Sequence, residues 1–107
     1  MIEVKKFHAV WCGPCRALSP VFESIKKKFD SVRFEEIDVD ENYQQAEKYF
    51  IRSVPTVVIV KDGVEVDRFT GLQSEMTYTN TINEHLSKLN PLVVTFPVFK
   101  NRQYPRS

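Results

Sequence analysis

The feature that most restricts what this sequence can fold into is Thr56-Val57-Val58-Ile59-Val60, an unbroken β-branched run followed at once by Lys61-Asp62-Gly63. A strand with one wet face alternates polar and apolar positions, whereas a run with almost no polar position suits a strand covered on both faces. Asp62-Gly63 supplies the residue types that a tight two-residue hairpin turn demands. Val64 to Phe69 is then expected to return antiparallel to the buried strand.

The remaining segments provide cover for such a strand. Met1 to Val10 contains Ile2, Val4, Phe7 and Val10 without a helix cap and reads as a strand. The period then changes: Cys15, Leu18, Phe22, Ile25 and Phe29 recur at steps of three and four, the spacing of one helix face. Pro20 falls inside this helix and is expected to kink it, because proline lacks a backbone donor and its ring crowds the preceding turn. Val32 to Val39 reads as a second strand and Asn42 to Phe50 as a short helix. From about Ser74 a last helix is expected, with Tyr78, Ile82, Leu86 and Leu89 on one side. The order strand, helix, strand, helix, strand, strand, helix implies an α/β domain of three layers, a central mixed sheet flanked by helices, over residues 1–89. Residues 90–107, broken by Pro91, Pro97 and Pro105, read as a C-terminal extension that carries an apolar segment, Leu92 to Phe99.

With 107 residues, 42% hydrophobic and 27% charged, the chain has the composition of one globular domain and no room for a second. A net charge of +1 gives no broad field for nucleic acid or a membrane surface. Lys26 to Lys28 lies beside Glu23 and Asp30, as on a solvated helix face. No apolar run reaches membrane-spanning length and no targeting signal is visible, so the reading is a soluble, cytoplasmic protein.

The only two cysteines are Cys12 and Cys15, separated by Gly13-Pro14. That excludes a multi-bridge secreted scaffold and leaves a redox pair, half of a metal site, or coincidence. Their position between a strand and the first turn of a helix gives the redox reading a physical basis. Helix-end amides and the positive end of the dipole would stabilise a thiolate at Cys12, the outer residue, which is also expected to see more solvent. Gly13-Pro14 tightens the turn, so that Cys15 comes close enough to close the ring. A closed zinc site needs four ligands, and His8 and His85 are the only other candidates without a second cysteine pair, so no metal is expected.

The segment Phe7-His8-Ala9-Val10-Trp11-Cys12-Gly13-Pro14-Cys15-Arg16 resembles the active-site segment of thioredoxins. The resemblance extends over residues 1–89: Pro20 matches the kink of the family's active-site helix, Val54-Pro55-Thr56 its cis-proline loop, and Gly71 the glycine beside its substrate groove. Asp38-Val39-Asp40 and Lys61-Asp62-Gly63 also sit at the family's spacings. The resemblance implies a thiol-disulfide oxidoreductase that reduces protein disulfides, with no cofactor beyond the cysteine pair. It implies that Cys12 attacks the substrate disulfide and Cys15 resolves the mixed disulfide. Trp11 and Pro14 would form an apolar lip with Gly13 shaping the turn. Val54 and Pro55 would offer a backbone edge to an extended substrate segment, with Gly71 and Leu72 beside it. Electrons would come from a thioredoxin reductase. Two other readings use the same groove: a binding subunit that holds a partner on the rim of Trp11, Pro55 and Leu72, and an oxidase or isomerase that differs only in redox poise.

Two departures from the family stand out. The strand and helix with which thioredoxins usually begin are absent before the matched segment. That leaves a core close to the one shared with glutaredoxins, although Gly13-Pro14 favours thioredoxin over the Pro-Tyr type of center. An exposed sheet edge would follow. Leu92 to Phe99 is expected to cover it in a monomer, or to dock on a neighbouring chain in a dimer. The second departure is a reversal of charge: where the family buries an aspartate opposite a lysine, this chain has Lys6 and Glu36. Either the pair is swapped and meets beneath the cysteines, or both side chains reach out to solvent.

Overall fold

The computed structural model describes residues 1–87, so Leu89, the boundary at residue 89 and the Leu92 to Phe99 segment lie outside the described residues. The elements are β1 (Ile2–His8), α1 (Gly13–Lys26), β2 (Val32–Asp38), α2 (Tyr43–Lys48), β3 (Thr56–Lys61), β4 (Val64–Thr70) and α3 (Glu75–Ser87). They form a mixed four-stranded sheet in the order β2-β1-β3-β4. β1 runs parallel to β2 and antiparallel to β3, with Ile2 opposite Val32 on one side and Lys61 on the other.

The β-branched run is buried as its composition requires. Every residue from Thr56 to Val60 is at most 2% exposed, and the side chains divide by strand alternation between two cores. Val57 and Ile59, with Ile2 and Val4 of β1, pack against Leu18, Phe22 and Ile25 of α1 and Tyr78 and Ile82 of α3. Val58 and Val60 pack on the opposite face with Phe7, Ile37, Tyr49 and Ile51. Full burial of each such side chain is worth about 1.5–3 kcal/mol, so this strand contributes substantially to the stability of the sheet. The hairpin turn that follows has Asp62 at φ 53° and Gly63 at φ 85°, both positive, as a turn compatible with strand twist needs.

α1 buries Cys15, Leu18, Phe22 and Ile25 and continues through Pro20. Phe29 belongs to the same core but not to the helix, which caps at Lys27; Lys28 N–H turns back to the Ile25 carbonyl at 2.9 Å. The side-chain period therefore outlasts the helix by one turn. α2 ends in a left-handed C-terminal cap: Phe50 N–H donates to Glu47 O at 3.0 Å and Ile51 N–H to Ala46 O at 2.8 Å, with Phe50 at φ 53°. α3 starts where Ser74 Oγ accepts from Thr77 N–H at 3.2 Å, a side-chain N-cap. Its buried residues are Tyr78, Ile82 and His85, whereas Leu86 is only half-buried. His85 is accommodated because Asp67 of β4 lies 3.4 Å from its Nε2. Glu75 at the start of α3 accepts from Ser24 Oγ at 2.9 Å and pairs with Lys28, tying α3 to the end of α1. Among the described residues, no helix is long and apolar enough to cross a membrane.

Candidate active site

β1 ends at His8, and the chain turns through Ala9, Val10 and Trp11 before α1 begins. Cys12 N–H donates to Ala9 O at 3.2 Å and closes this turn. Cys12 is the N-cap of α1, with extended backbone angles of φ −92° and ψ 112°, and its Sγ accepts from the Cys15 N–H at 3.1 Å. That contact is the helix-end stabilisation expected of an outer cysteine: an otherwise unsatisfied amide points at the sulfur. Gly13 and Pro14 fill the first helical turn, where proline's missing donor costs nothing. Cys12 and Cys15 are joined as a disulfide with their Cα atoms 5.3 Å apart.

The expectation that Cys12 is the more solvated of the two is not met in this oxidised form, because each cysteine is 4% exposed. Ala9 joins the two cysteines in one buried cluster, and Val39, just after β2, and Val54 pack against it. Helix-end position therefore distinguishes the two sulfurs and solvent contact does not.

The surface around the pair is apolar. Trp11 is 65% exposed, and Val10 and Leu72 also project into solvent. Trp11 is nevertheless held, since its Nε1–H donates to Asp40 Oδ2 at 2.8 Å. Asp40 is fixed in turn by its own N–H, which donates to Asp38 Oδ1 at 2.8 Å. Arg16 adds a guanidinium hydrogen bond of 3.0 Å to Val10 O. The Val54–Pro55 peptide bond is cis. Gly71, at φ 87°, donates its N–H to Pro55 O at 2.8 Å, so the two groove segments named from sequence are joined directly. Leu72 follows, 45% exposed beside that junction.

Lys6 and Glu36 meet. The parallel register sets them side by side, with Lys6 Nζ 3.1 Å from Glu36 Oε1. The Lys6 side chain is 3% exposed and its ammonium stands 5.0 Å from the centre of the Phe22 ring. Glu36, 37% exposed, also receives Lys26 at 3.4 Å. Burial opposes the ionised form of Glu36, but the hydrogen bonds and charges of Lys6 and Lys26 prevail and hold its carboxyl below the usual range. Lys6 and Glu36 line a hollow of 330 Å³ together with Cys15, Arg16, Ser19 and His8.

Sequence reasoning did not assign Asp40, Val39 or Ala9 to the site. Ala9 lies inside the segment that carries the cysteines, and Val39 and Asp40 inside another that was singled out, but a contact between Trp11 and a residue 29 positions away depends on the β1–β2 register, which no local pattern encodes.

The thioredoxin family model matches residues 2–84. A thioredoxin of Chlamydia pneumoniae is 44% identical over 79 residues, 74% of this chain and 78% of that protein. A thioredoxin of Bacillus subtilis is 38% identical over 86 residues, 79% of this chain and 83% of its own length. Among solved structures, Fasciola hepatica thioredoxin superposes with a TM-score of 0.74 at 44% identity, covering 78% of this chain and 80% of that one.

Proposed function

Because the chain belongs to the thioredoxin family, we infer that it reduces protein disulfides by cycling Cys12 and Cys15 between dithiol and disulfide. The observation that carries this reading is the Cys12–Cys15 disulfide at the N-cap of α1. In the reduced protein, Cys12 is the nucleophile: its thiolate attacks one sulfur of the substrate disulfide and expels the other as a thiolate. Cys15 then attacks Cys12 Sγ in the mixed disulfide, re-forms the internal bond and releases the second substrate thiolate. The Cys15 N–H that points at Cys12 Sγ favours the thiolate at the first position, which supports this order.

Substrates approach over the apolar rim of Trp11, Pro14 and Leu72 and lie along the Val54–Pro55 edge. The Gly71–Pro55 hydrogen bond supports that role by fixing the edge beside the sulfurs. A thioredoxin reductase returns two electrons to the disulfide. The cytoplasm is the compartment in which such a cycle turns as a reductase.

Turbidimetric reduction of insulin with dithiothreitol tests the reading. The wild-type chain should accelerate insulin precipitation, and the Cys12→Ser/Cys15→Ser variant should not. No acceleration by the wild-type chain, or equal acceleration by the variant, would sink it, the second result in favour of a binding subunit on the same groove.

A further inference from the structure

The hollow under the disulfide reaches Cys15 but not Cys12, and its walls carry unusual charge for a site whose cysteine is 4% exposed. Lys6 enters from β1, Arg16 and Ser19 from α1, Glu36 from β2, and His8 from the end of β1. Lys26 of α1 reaches Glu36 from outside and is itself shared with Glu23 at 3.3 Å. Lys6 and Lys26 thus both pair with the one carboxylate. Their screening is unequal: the Lys6 side chain is 3% exposed, whereas Glu36 is 37% exposed and is already shared with Lys26. A charge in a dry wall acts on a neighbouring sulfur more strongly than one in contact with water.

We propose that Lys6 is a positioning residue that stabilises the anion left on the Cys15 sulfur when the disulfide opens and thereby makes the Cys12–Cys15 disulfide a stronger oxidant than a neutral side chain at position 6 would allow. The chemistry runs through the bond already described. When the thiolate of a dithiol or of glutathione attacks Cys12 Sγ, the S–S bond breaks and its electron pair leaves on Cys15 Sγ. That anion is released into the hollow, where the Lys6 ammonium neutralises it without a proton transfer. A second thiol then resolves the mixed disulfide at Cys12, so that two thiols are oxidised to one disulfide and the protein takes up two electrons. Stabilising the reduced product shifts this exchange toward the dithiol protein. Glu36 has the opposite influence, because it neutralises part of the field of Lys6. The inference rests on the redox reading given above.

Equilibration with mixtures of reduced and oxidised glutathione, followed by the emission of Trp11, the only tryptophan, measures the effect. Lys6→Met should lower the equilibrium constant for reduction of the protein disulfide about tenfold, equivalent to a potential about 30 mV more negative. Glu36→Gln should move it the other way, and Lys6→Arg should restore the wild-type value. The second readout is thiolate absorbance of Cys15 in the Cys12→Ser background, whose titration should move to higher pH with Lys6→Met and to lower pH with Glu36→Gln. Opposite signs for the two variants are the signature of a field, since loss of a merely structural pair would shift both in one direction. If wild type equilibrates with glutathione but Lys6→Met leaves its constant unchanged or raises it, the inference is wrong while the redox function stands. If Lys6→Met does not fold, an unchanged or lowered constant in Glu36→Gln overturns it equally. A wild-type disulfide that never exchanges with glutathione removes both readings.

Discussion

The indole of Trp11 is tied to the carboxylate of Asp40 by a 2.8 Å hydrogen bond, so the most prominent apolar side chain beside the disulfide is exposed yet held in one orientation. An exposed aromatic with free χ angles would lose rotamer entropy on each encounter with a substrate; here that ordering is already in place. Asp40→Ala should therefore lower the insulin-reduction rate severalfold while changing the melting temperature little, since an exposed hydrogen bond is worth about 0.5–1.5 kcal/mol at most. A change in Trp11 emission should accompany it. Full activity in Asp40→Ala would show that the tether has no part in substrate encounter.

The proposed division of labour, with Cys12 as nucleophile and Cys15 as resolving thiol, predicts an asymmetric trap. Cys15→Ser leaves the nucleophile and removes the resolving thiol, so it should accumulate a mixed disulfide with substrate that survives non-reducing electrophoresis, and Cys12→Ser should not. Iodoacetamide at neutral pH should label Cys12 of the reduced wild type first, as peptide mapping would report. Preferential labelling of Cys15 would reverse the assignment.

Acid should loosen the β1–β2 pair through Glu35. Lys5, 8% exposed, lies 2.6 Å from Glu35. The hydrogen bond and charge of Lys5 outweigh burial and hold the Glu35 carboxyl below its ordinary value of 4.5. For Lys5, burial works against the ammonium, but Glu35 prevails and raises it above 10.5. A depressed carboxylate contributes stability above its unfolded pKa and loses it as pH falls through the folded one; a raised lysine contributes below its unfolded pKa and loses it as pH rises through the folded one. The pair is thus fully stabilising between those limits. Thermal melts should show Tm falling below about pH 4.5, and Glu35→Gln should flatten that limb by about 1 kcal/mol or less, since Glu35 is partly in water. An identical acid limb in Glu35→Gln would refute this account.

Phe50 adopts φ 53° at the C-terminal cap of α2, a conformation in which a side chain costs about 1–2 kcal/mol, and its ring is 76% exposed and regains little of that by burial. Phe50→Gly should raise stability by about 0.5–1 kcal/mol after the greater entropy of unfolded glycine is discounted. Chemical denaturation would show a higher midpoint at unchanged slope. A lower midpoint would mean that the exposed ring is held by contacts stronger than the backbone strain.

Periodicity disclosed what depends on neighbours in sequence. Thr56 to Val60, the Asp62-Gly63 turn, the face of α1 and the cysteines at its start were all legible, because each is a local pattern with one physical reading. What stayed hidden depends on register or on partners far along the chain. Whether Lys6 and Glu36 reach water or one another was undecidable until the parallel ladder set them opposite. The burial of His85 in place of Leu86 follows from Asp67 on β4, and the equal burial of the two cysteines reflects Val39 and Val54, which pack against their cluster from distant segments. Phe50 gave no sign of left-handed backbone, since phenylalanine is among the residues least expected there.

The place of β1 between β2 and β3 has a consequence for assembly. Its residues find their partners only at positions such as Val32 and Lys61, so this interior strand of the sheet is secured by contacts that span most of the described chain. Closing loops of that length precedes any reward from pairing, which slows the search relative to a helical bundle of equal size. Throughout that interval Cys12 and Cys15, attached to the end of an unpaired strand, are open to any oxidant in the surroundings. A refolding chain therefore meets its redox environment before it has a sheet to shield the sulfurs.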